Sequence, residues 1–413
     1  MENKQHTAFY IGNNDDKNWL INTIKEADQF KFSLDGLCGE IFSNNTLEYF
    51  INEEIKHGHF NIKTANNNTL TLSSSGEKRK ALLNNLLAKK RDYIILDNVF
   101  ESLDIATRTQ MMTTICTIAT STLIIQIFNQ KDELLPFIEN VYLVDGQTIS
   151  VCQSRFDFIA HAKLKTNILF NGIIPAPLET YALQSDALIK LNNVNVSYDG
   201  KPILNNICWQ INAGEFWQLK GPNGSGKSTL LSLITGDSPK GYGQDLKLFG
   251  KQKGTGETVW ELKQKIGYFT PDITAQFERL DTIEQMVIAG FFDSVGLYIQ
   301  PSDRQVQLAG EWLHILGLYP DRKKPFKLFS PGMQRMILIA RAMVKHPPLL
   351  ILDEPTAGLD DAMTVLFTNL INKIAAETTT AIVYVSHRTE QGLCADKTYE
   401  LVATENGSIG LEK

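Results

Sequence analysis

The sequence has no Cys-x-x-Cys pair, no long apolar run and no strong charge bias, and each absence closes off a class of protein. Its five cysteines, Cys38, Cys116, Cys152, Cys208 and Cys394, are scattered. That argues against a disulfide framework or a zinc site, and for reduced, buried thiols in a cytoplasmic protein. The most apolar stretch, Ile115 to Phe128, is broken by Thr117, Thr120, Ser121, Thr122 and Gln126, so it is too short and too polar to span a bilayer. Met1 to His6 is polar and no long apolar region follows, so no signal peptide is expected. A net charge of −6 gives no overall attraction to nucleic acid or to an anionic membrane. Any membrane role is therefore expected to be peripheral, through a partner. His57 and His59 form an H-x-H with no further ligands nearby and read as solvent-exposed, and Met111 and Met112 read as core.

At 413 residues the chain has room for two domains, each able to bury a core. The strongest local signal is GPNGSGKST, comprising Gly221, Pro222, Asn223, Gly224, Ser225, Gly226, Lys227, Ser228 and Thr229. The alternating run from Glu215 to Lys220 predicts a strand before it, and the run from Thr229 to Ile234 predicts a helix after it. Glycines let backbone N–H groups wrap a phosphate chain, Lys227 brings a cation to the β- and γ-phosphates, and the Ser228 hydroxyl can ligate Mg²⁺. The apolar run LLILDE places Asp353 and Glu354 at a strand end. There Asp353 suits an Mg²⁺ ligand and Glu354 suits a general base for water. His387 ends the next strand, AIVYVSH, and suits a γ-phosphate sensor; Tyr198 suits stacking on a nucleobase.

The first half repeats this order more weakly. A strand at Ala8 to Ile11 leads into Gly12 to Asn18 and a helical run from Trp19 to Glu26. This resembles a phosphate loop that has lost its central glycines and carries Asp15 and Asp16 where phosphate would lie; an ordinary polar turn is the rival reading. Residues 44 to 70 are polar and Asn-rich, with Asn66 to Asn68 among them, and are expected to include loops. SSSGEKRK, from Ser73, then opens a helix; YIILDN ends in Asp97 and Asn98; ESLD follows; and the strand Leu123 to Phe128 ends at Asn129. Lys17 precedes Ser73 by 56 positions, whereas Lys227 precedes Ser330 by 103, so the first half lacks much of the middle of the unit. Pro175 and Pro177, with no periodicity around them, mark a linker. The expected divisions are 1–160, a linker 161–187, and 188–413.

Tyr198, GPNGSGKST, FSPGMQR, LLILDE, AGLD and VSH, in this order and spacing, resemble an ATP-binding cassette (ABC) ATPase over about 225 residues. The implied fold is α/β, two tandem P-loop NTPase cassettes of which the first is truncated and degenerate. The tandem layout, with GKQKGTGETVWELKQKIGY and GFFDSVGLYIQPSDRQ, resembles the ModF-type molybdenum-transport ATP-binding subgroup, related to photorepair proteins. In the family two cassettes face head to tail with ATP between one phosphate loop and the other cassette's signature. The resemblance implies ATP and Mg²⁺ held by Lys227, Ser228, Thr229 and Asp353, with Glu354 as catalytic base and His387 as switch. Ser74, Gly76 and Glu77 would close over the nucleotide from the first half. The first half has Asn98 in place of the base, and an amide has no useful basicity. It has Asn129 in place of the switch histidine, yet it keeps a signature-like SSSGE. The second half keeps its catalytic residues but carries Pro331 in its signature. One hydrolytic and one degenerate composite site per chain are expected; duplication followed by drift is the rival account.

Pro271 stands near where the family has a glutamine that links ATP to the partner domain, and Asp272 or Gln276 are candidate substitutes. The leading functional expectation is an ATPase subunit powering a membrane permease, for molybdate or another oxyanion, peripheral on the inner face of the plasma membrane. The alternatives are a soluble ABC ATPase acting without a permease in repair, assembly or regulation, and a nucleotide-binding scaffold with little turnover.

Overall fold

A computed structural model describes the chain except residues 1–4, 14, 27–29, 31, 59, 61, 65–68, 72, 74, 102, 151–152, 162–169, 171, 182–184, 257, 278–279, 388–389 and 391. Two compact units emerge: residues 1–165 with 357–362, and residues 166–356 with 363–413. Among the described residues no helix is long and apolar enough to cross a membrane.

In unit 1 the strands are β1 (Thr7–Tyr10), β2 (Gly39–Phe42), β3 (Tyr93–Asp97), β4 (Leu123–Phe128), β5 (Asn140–Asp145), β6 (Thr148–Ile149) and β7 (Gln153–Ser154). They form one sheet in the order β2-β3-β4-β1-β5-β6, with β7 also on β5. Pairing from β2 to β5 is parallel. Continuous apolar runs such as YIIL in β3 and LIIQIF in β4 are buried, as a sheet covered on both faces requires.

Unit 2 holds β8 (Ala187–Tyr198), β9 (Lys201–Asn212), β10 (Phe216–Lys220), β11 (Asp245–Leu248), β12 (Lys251–Gln252), β13 (Ile266–Phe269), β14 (Leu349–Asp353), β15 (Ala381–Val385), β16 (Lys397–Val402) and β17 (Ile409–Glu412). Its main sheet runs β13-β14-β15-β10-β16-β17, and a second, antiparallel sheet runs β12-β11-β8-β9. The expected turn at Asp199 and Gly200 joins β8 to β9, with both residues at positive φ, as a two-residue hairpin turn demands.

The main sheets of the two units share one topology, each strand of unit 1 except β7 standing where one of unit 2 stands. Register extends the match to single residues. Asp97 pairs with Ile127 as Asp353 pairs with Val385. Asn98 N donates to Ile127 O as Glu354 N donates to Val385 O, at 3.0 Å each. Asn129 and His387 each fall two residues beyond that acceptor.

One expectation is sharpened and one needs correction. Within the Asn-rich stretch 44–70, residues 44–57 form a helix that the sequence reading did not pick out. Ser43 caps it by accepting from Thr46 N, and Gly58, at φ +64, ends it by donating to Glu53 and Glu54 carbonyls. The asparagines mask a face on which Leu47, Phe50 and Ile51 pack against the core. The described cysteines are free, but Cys38, Cys208 and Cys394 are exposed and Cys116 is half-buried. Strand alternation turns Cys208 outward while its neighbours Ile207 and Trp209 point inward. Cys152, His59 and Asn66 to Asn68 lie outside the described residues. Within the expected linker, residues 172–181 form no helix or strand. Ile174 N donates to Glu377 Oε2 at 2.8 Å, and Tyr181 OH to Gln264 O at 2.9 Å.

Candidate functional site: a phosphate loop in unit 2

The site is built at one edge of a parallel sheet, beyond the carboxyl ends of its strands, where ligands of open α/β sheets bind. Leu219 of β10 and Asp353 of β14 both lie beside Val385 of β15. The loop after β10, the acidic pair after β14 and the histidine after β15 therefore emerge side by side. Sequence placed these groups on separate strand ends, and parallel register brings them together.

Gly221 to Gly226 carry the chain into the helix Lys227–Ile234. Gly226, at φ +90, is required twice: a Cβ there would also meet Leu204 Cδ2 at 2.7 Å and Ile203 Cγ2 at 3.1 Å. Lys227 is buried and its Nζ donates to Gly221 O at 2.8 Å and Pro222 O at 3.1 Å. The ammonium is thus held over the loop by the loop's own carbonyls. Ser225 Oγ is buried without a hydrogen-bond partner among the described residues, and Ser228 is exposed on the first turn. Tyr198 ends β8, 42% exposed, with its hairpin partner strand packed on Gly226 through Ile203 and Leu204. Lys240 Nζ lies 5.5 Å from the Tyr198 ring centroid, a cation–π distance.

Glu354 has φ +47, a left-handed conformation that costs a non-glycine residue on the order of 1 kcal/mol or more. His387 Nδ1 lies 3.1 Å from Glu354 Oε1. The histidine side chain is 6% exposed and its Nε2 has no hydrogen-bond partner among the described residues. A buried, unpartnered imidazole nitrogen beside a carboxylate is suited to take a ligand oxygen. Nearby, burial and the carboxylates of Asp353 and Asp237 push the Tyr268 hydroxyl well above its ordinary range, so it stays protonated. Thr356, three positions beyond Asp353, donates to Glu390 Oε1 at 2.6 Å and shares a 3.2 Å hydrogen bond with the buried Tyr384 hydroxyl. Sequence reasoning missed Glu390, because nothing in its local pattern distinguishes it from a loop acid.

The remaining expected residues fall as follows. Ser330 caps the helix Pro331–Met343, and Pro331 takes its first position. A proline there removes an N–H that has no partner within the helix. Arg335 Nη1 donates to Pro355 O at 2.8 Å, and Arg79, in the corresponding place of unit 1, donates to Asn98 O at 2.9 Å. Gly76 is buried and Glu77 half-buried in the helix Ser75–Ala88 of unit 1; Ser74 lies outside the described residues. Pro271 opens a short 3₁₀ helix, Pro271–Gln276, and the side chains of Asp272 and Gln276 are outside the description.

A glycine-rich anion loop, a buried lysine, two strand-end carboxylates and a histidine on one sheet edge define a P-loop nucleotide hydrolase. The donor set fits a nucleoside triphosphate: unpartnered Ser225 Oγ and His387 Nε2, and a lysine held over the loop. The ABC transporter family model matches residues 204–357. The chain is 37% identical over 372 residues to the ABC transporter ATP-binding protein ModF of Escherichia coli (strain K12), covering 85% of this chain and 76% of that one. It is 27% identical over 343 residues to an uncharacterised ABC transporter ATP-binding protein of Schizosaccharomyces pombe, covering 81% and 69%. An archaeal ribosome recycling factor, solved in complex with the stalk protein aP1, matches with a TM-score of 0.62 over 99% of this chain and 85% of that chain. At 13% identity that likeness is one of fold. The chain belongs to the ABC transporter ATP-binding protein family, with a mixed α/β fold consistent with tandem cassettes, and it is an ATPase.

Proposed function

We propose that the chain hydrolyses Mg²⁺-ATP at one competent site per molecule, the site of unit 2. Tyr198 takes the base; Gly221 to Thr229, with Lys227 at their centre, hold the phosphates. Ser228 and Asp353 would hold Mg²⁺, which would supply charge neutralisation for the phosphates. Glu354 accepts a proton from the attacking water as oxygen adds to the γ-phosphorus and ADP leaves with the electron pair of the broken anhydride bond. His387 orients Glu354 and takes a γ-phosphate oxygen on Nε2. The observation that carries this reading is the 3.1 Å pairing of His387 with Glu354, against two amides, Asn129 and Asn98, at the matching places of unit 1. On this reading residues 1–160 are a truncated, degenerate cassette, joined by 161–187 to a complete one at 188–413. Ser74, Gly76 and Glu77 then close over the nucleotide, as the retained SSSGE implies. The test is phosphate release by the purified chain with Mg²⁺-ATP and by Glu354→Gln. Turnover in the wild type, and bound but unhydrolysed ATP in the variant, are expected; normal turnover in the variant removes Glu354 as the base.

The ATPase is assigned to a transport system, with molybdate or another oxyanion as cargo, on the resemblance to the ModF-type subgroup. A permease-independent ATPase acting in repair, assembly or regulation is the second reading. It is favoured by Pro271 in the stretch where the family couples ATP to its permease. Pull-down from membranes separates them: recovery of a polytopic membrane partner supports transport, and its absence at full recovery of the bait supports the second.

A further inference from the structure

Among the described residues, the ladder between β14 and β15 ends with Asp353 beside Val385. The chain then leaves the sheet in two short segments, one beginning at Glu354 and the other at Ser386. Pro355 has no N–H to extend a ladder. Side-chain chemistry therefore takes over the work of holding the two segments together. The 3.1 Å contact of His387 Nδ1 with Glu354 Oε1 is one tie.

A second tie is made further along both segments. Thr356 Oγ1 donates to Glu390 Oε1 at 2.6 Å, and Ser386 Oγ donates to the same oxygen at 3.4 Å. Thr356 follows Glu354 by two positions, and Glu390 follows His387 by three. The two ties and the chain between them close a ring. Thr356 has a single hydroxyl proton, which goes to Glu390. The 3.2 Å hydrogen bond it shares with Tyr384 therefore runs from the tyrosine O–H to Thr356 Oγ1. Tyr384 is fully buried, and burial, with Glu390 alongside, keeps its hydroxyl protonated well above its ordinary range. The bonds thus run in one direction, from Tyr384 to Thr356 to Glu390, and end on a carboxylate. Each bond in such a chain polarises the next, and an ionised acceptor strengthens it. Thr356 is only 4% exposed, so water competes little for its hydroxyl. Between the base and the threonine, the Pro355 carbonyl is held by Arg335 Nη1 at 2.8 Å. A loop glutamate is most often a solvated charge; this one takes two hydroxyls on one oxygen, one of them from a buried residue.

We propose that Glu390, acting through Thr356, is a positioning residue for the Glu354–His387 pair. It clamps the segment that follows the base to the segment that follows the histidine. Its action is on the separation of those two side chains, and it needs no contact with nucleotide. Misplacing a catalytic group by about 1 Å can cost about a hundredfold in rate, so a clamp distant from the chemistry still bears on turnover.

The effect on turnover rests on Glu354 being the base, as proposed above; the clamp itself does not. The full chain is therefore followed by two readouts. One is steady-state phosphate release with Mg²⁺-ATP. The other is the rate at which diethyl pyrocarbonate modifies His387, resolved from the other histidines by peptide mass spectrometry. Thr356→Val keeps the shape and removes the hydroxyl, Thr356→Ser keeps the hydroxyl, and Glu390→Ala removes the acceptor. Expected is a fall in kcat of about tenfold in Thr356→Val and in Glu390→Ala, with KM for ATP within about twofold. The double variant should lose no more than the worse single one, and Thr356→Ser should stay within about threefold of wild type. His387, 6% exposed, should react about fivefold faster in Thr356→Val and Glu390→Ala. Wild-type kcat in both, a loss confined to KM, equal losses in Thr356→Ser and Thr356→Val, or losses that multiply in the double variant would each overturn the proposal. Normal turnover in Glu354→Gln defeats the base instead; the His387 reactivity then judges the clamp, and an unchanged rate in Thr356→Val overturns it. Should Thr356→Val not fold, Glu390→Ala carries the test against Glu390→Gln, which keeps an acceptor oxygen.

Discussion

The loops Gly12 to Asn18 and Gly221 to Thr229 follow equivalent strands of two sheets with the same order, yet they present opposite electrostatics. In unit 2 the lysine rests on uncharged carbonyls of its own loop, and a buried hydroxyl beside it lacks a partner. In unit 1 the lysine is neutralised by Asp97, and the loop's backbone donors meet Asp15, Asp16 and Asp360. Topology alone therefore does not make a nucleotide site. What separates the two is the charge the described loop donors meet: peptide carbonyls of its own loop for Lys227, carboxylates for Lys17 and its neighbours.

The sharpest way to break this comparison is at the bases. Glu354→Gln should lower phosphate release by about a thousandfold while ATP still binds, because the proton acceptor goes and the cradle stays. Asn98→Ala should leave the rate within about twofold. Comparable losses in the two would erase the distinction. Next come the lysines. Lys227→Ala should abolish measurable ATP binding in equilibrium dialysis, whereas Lys17→Ala should leave ATP affinity unchanged and alter unfolding by no more than about 1 kcal/mol, as for other partly exposed ion pairs. A smaller contrast is expected at the helix starts. Ser74→Ala should reduce hydrolysis more than Ser330→Ala, even though Ser330 caps its helix and its loss should cost about 1 kcal/mol of stability. Equal losses in folded proteins would refute the one-site arrangement.

The smallest expected effect concerns pH. Burial lowers His346 from its ordinary value to about 4, and its Nε2 has no hydrogen-bond partner among the described residues. A folded state that refuses a proton the unfolded chain accepts loses stability as pH falls from about 6.5 toward 4. Thermal unfolding followed over that range should show the loss, and His346→Gln should flatten it. A melting temperature with the same slope in the variant would move the effect elsewhere.

Much of the site in unit 2 was legible in sequence, because it sits in contiguous motifs on strand ends whose apolar runs are unambiguous. The strand order of unit 1 was foreshadowed by the repeated order of motifs. The helix at 44–57 was not, since asparagines suppress helix propensity and its caps, Ser43 and Gly58, outweigh them only with tertiary packing. The hydrogen bonds between residues 358–361 and unit 1 were also invisible. Tyr10, Asn13, Asn129 and Asp360 are separated by more than 300 positions at the extremes, and no local spacing links them. The charge of Asp15 and Asp16 is plain in the sequence; the backbone N–H groups they accept from are not.

The measurement that tests the central claim most directly is the number of nucleotides held per chain by Glu354→Gln at saturating Mg²⁺-ATP. One per chain, falling to none when Lys227→Ala is added and staying at one when Lys17→Ala is added, is the predicted result. Two per chain, with one lost on Lys17→Ala, would contradict it.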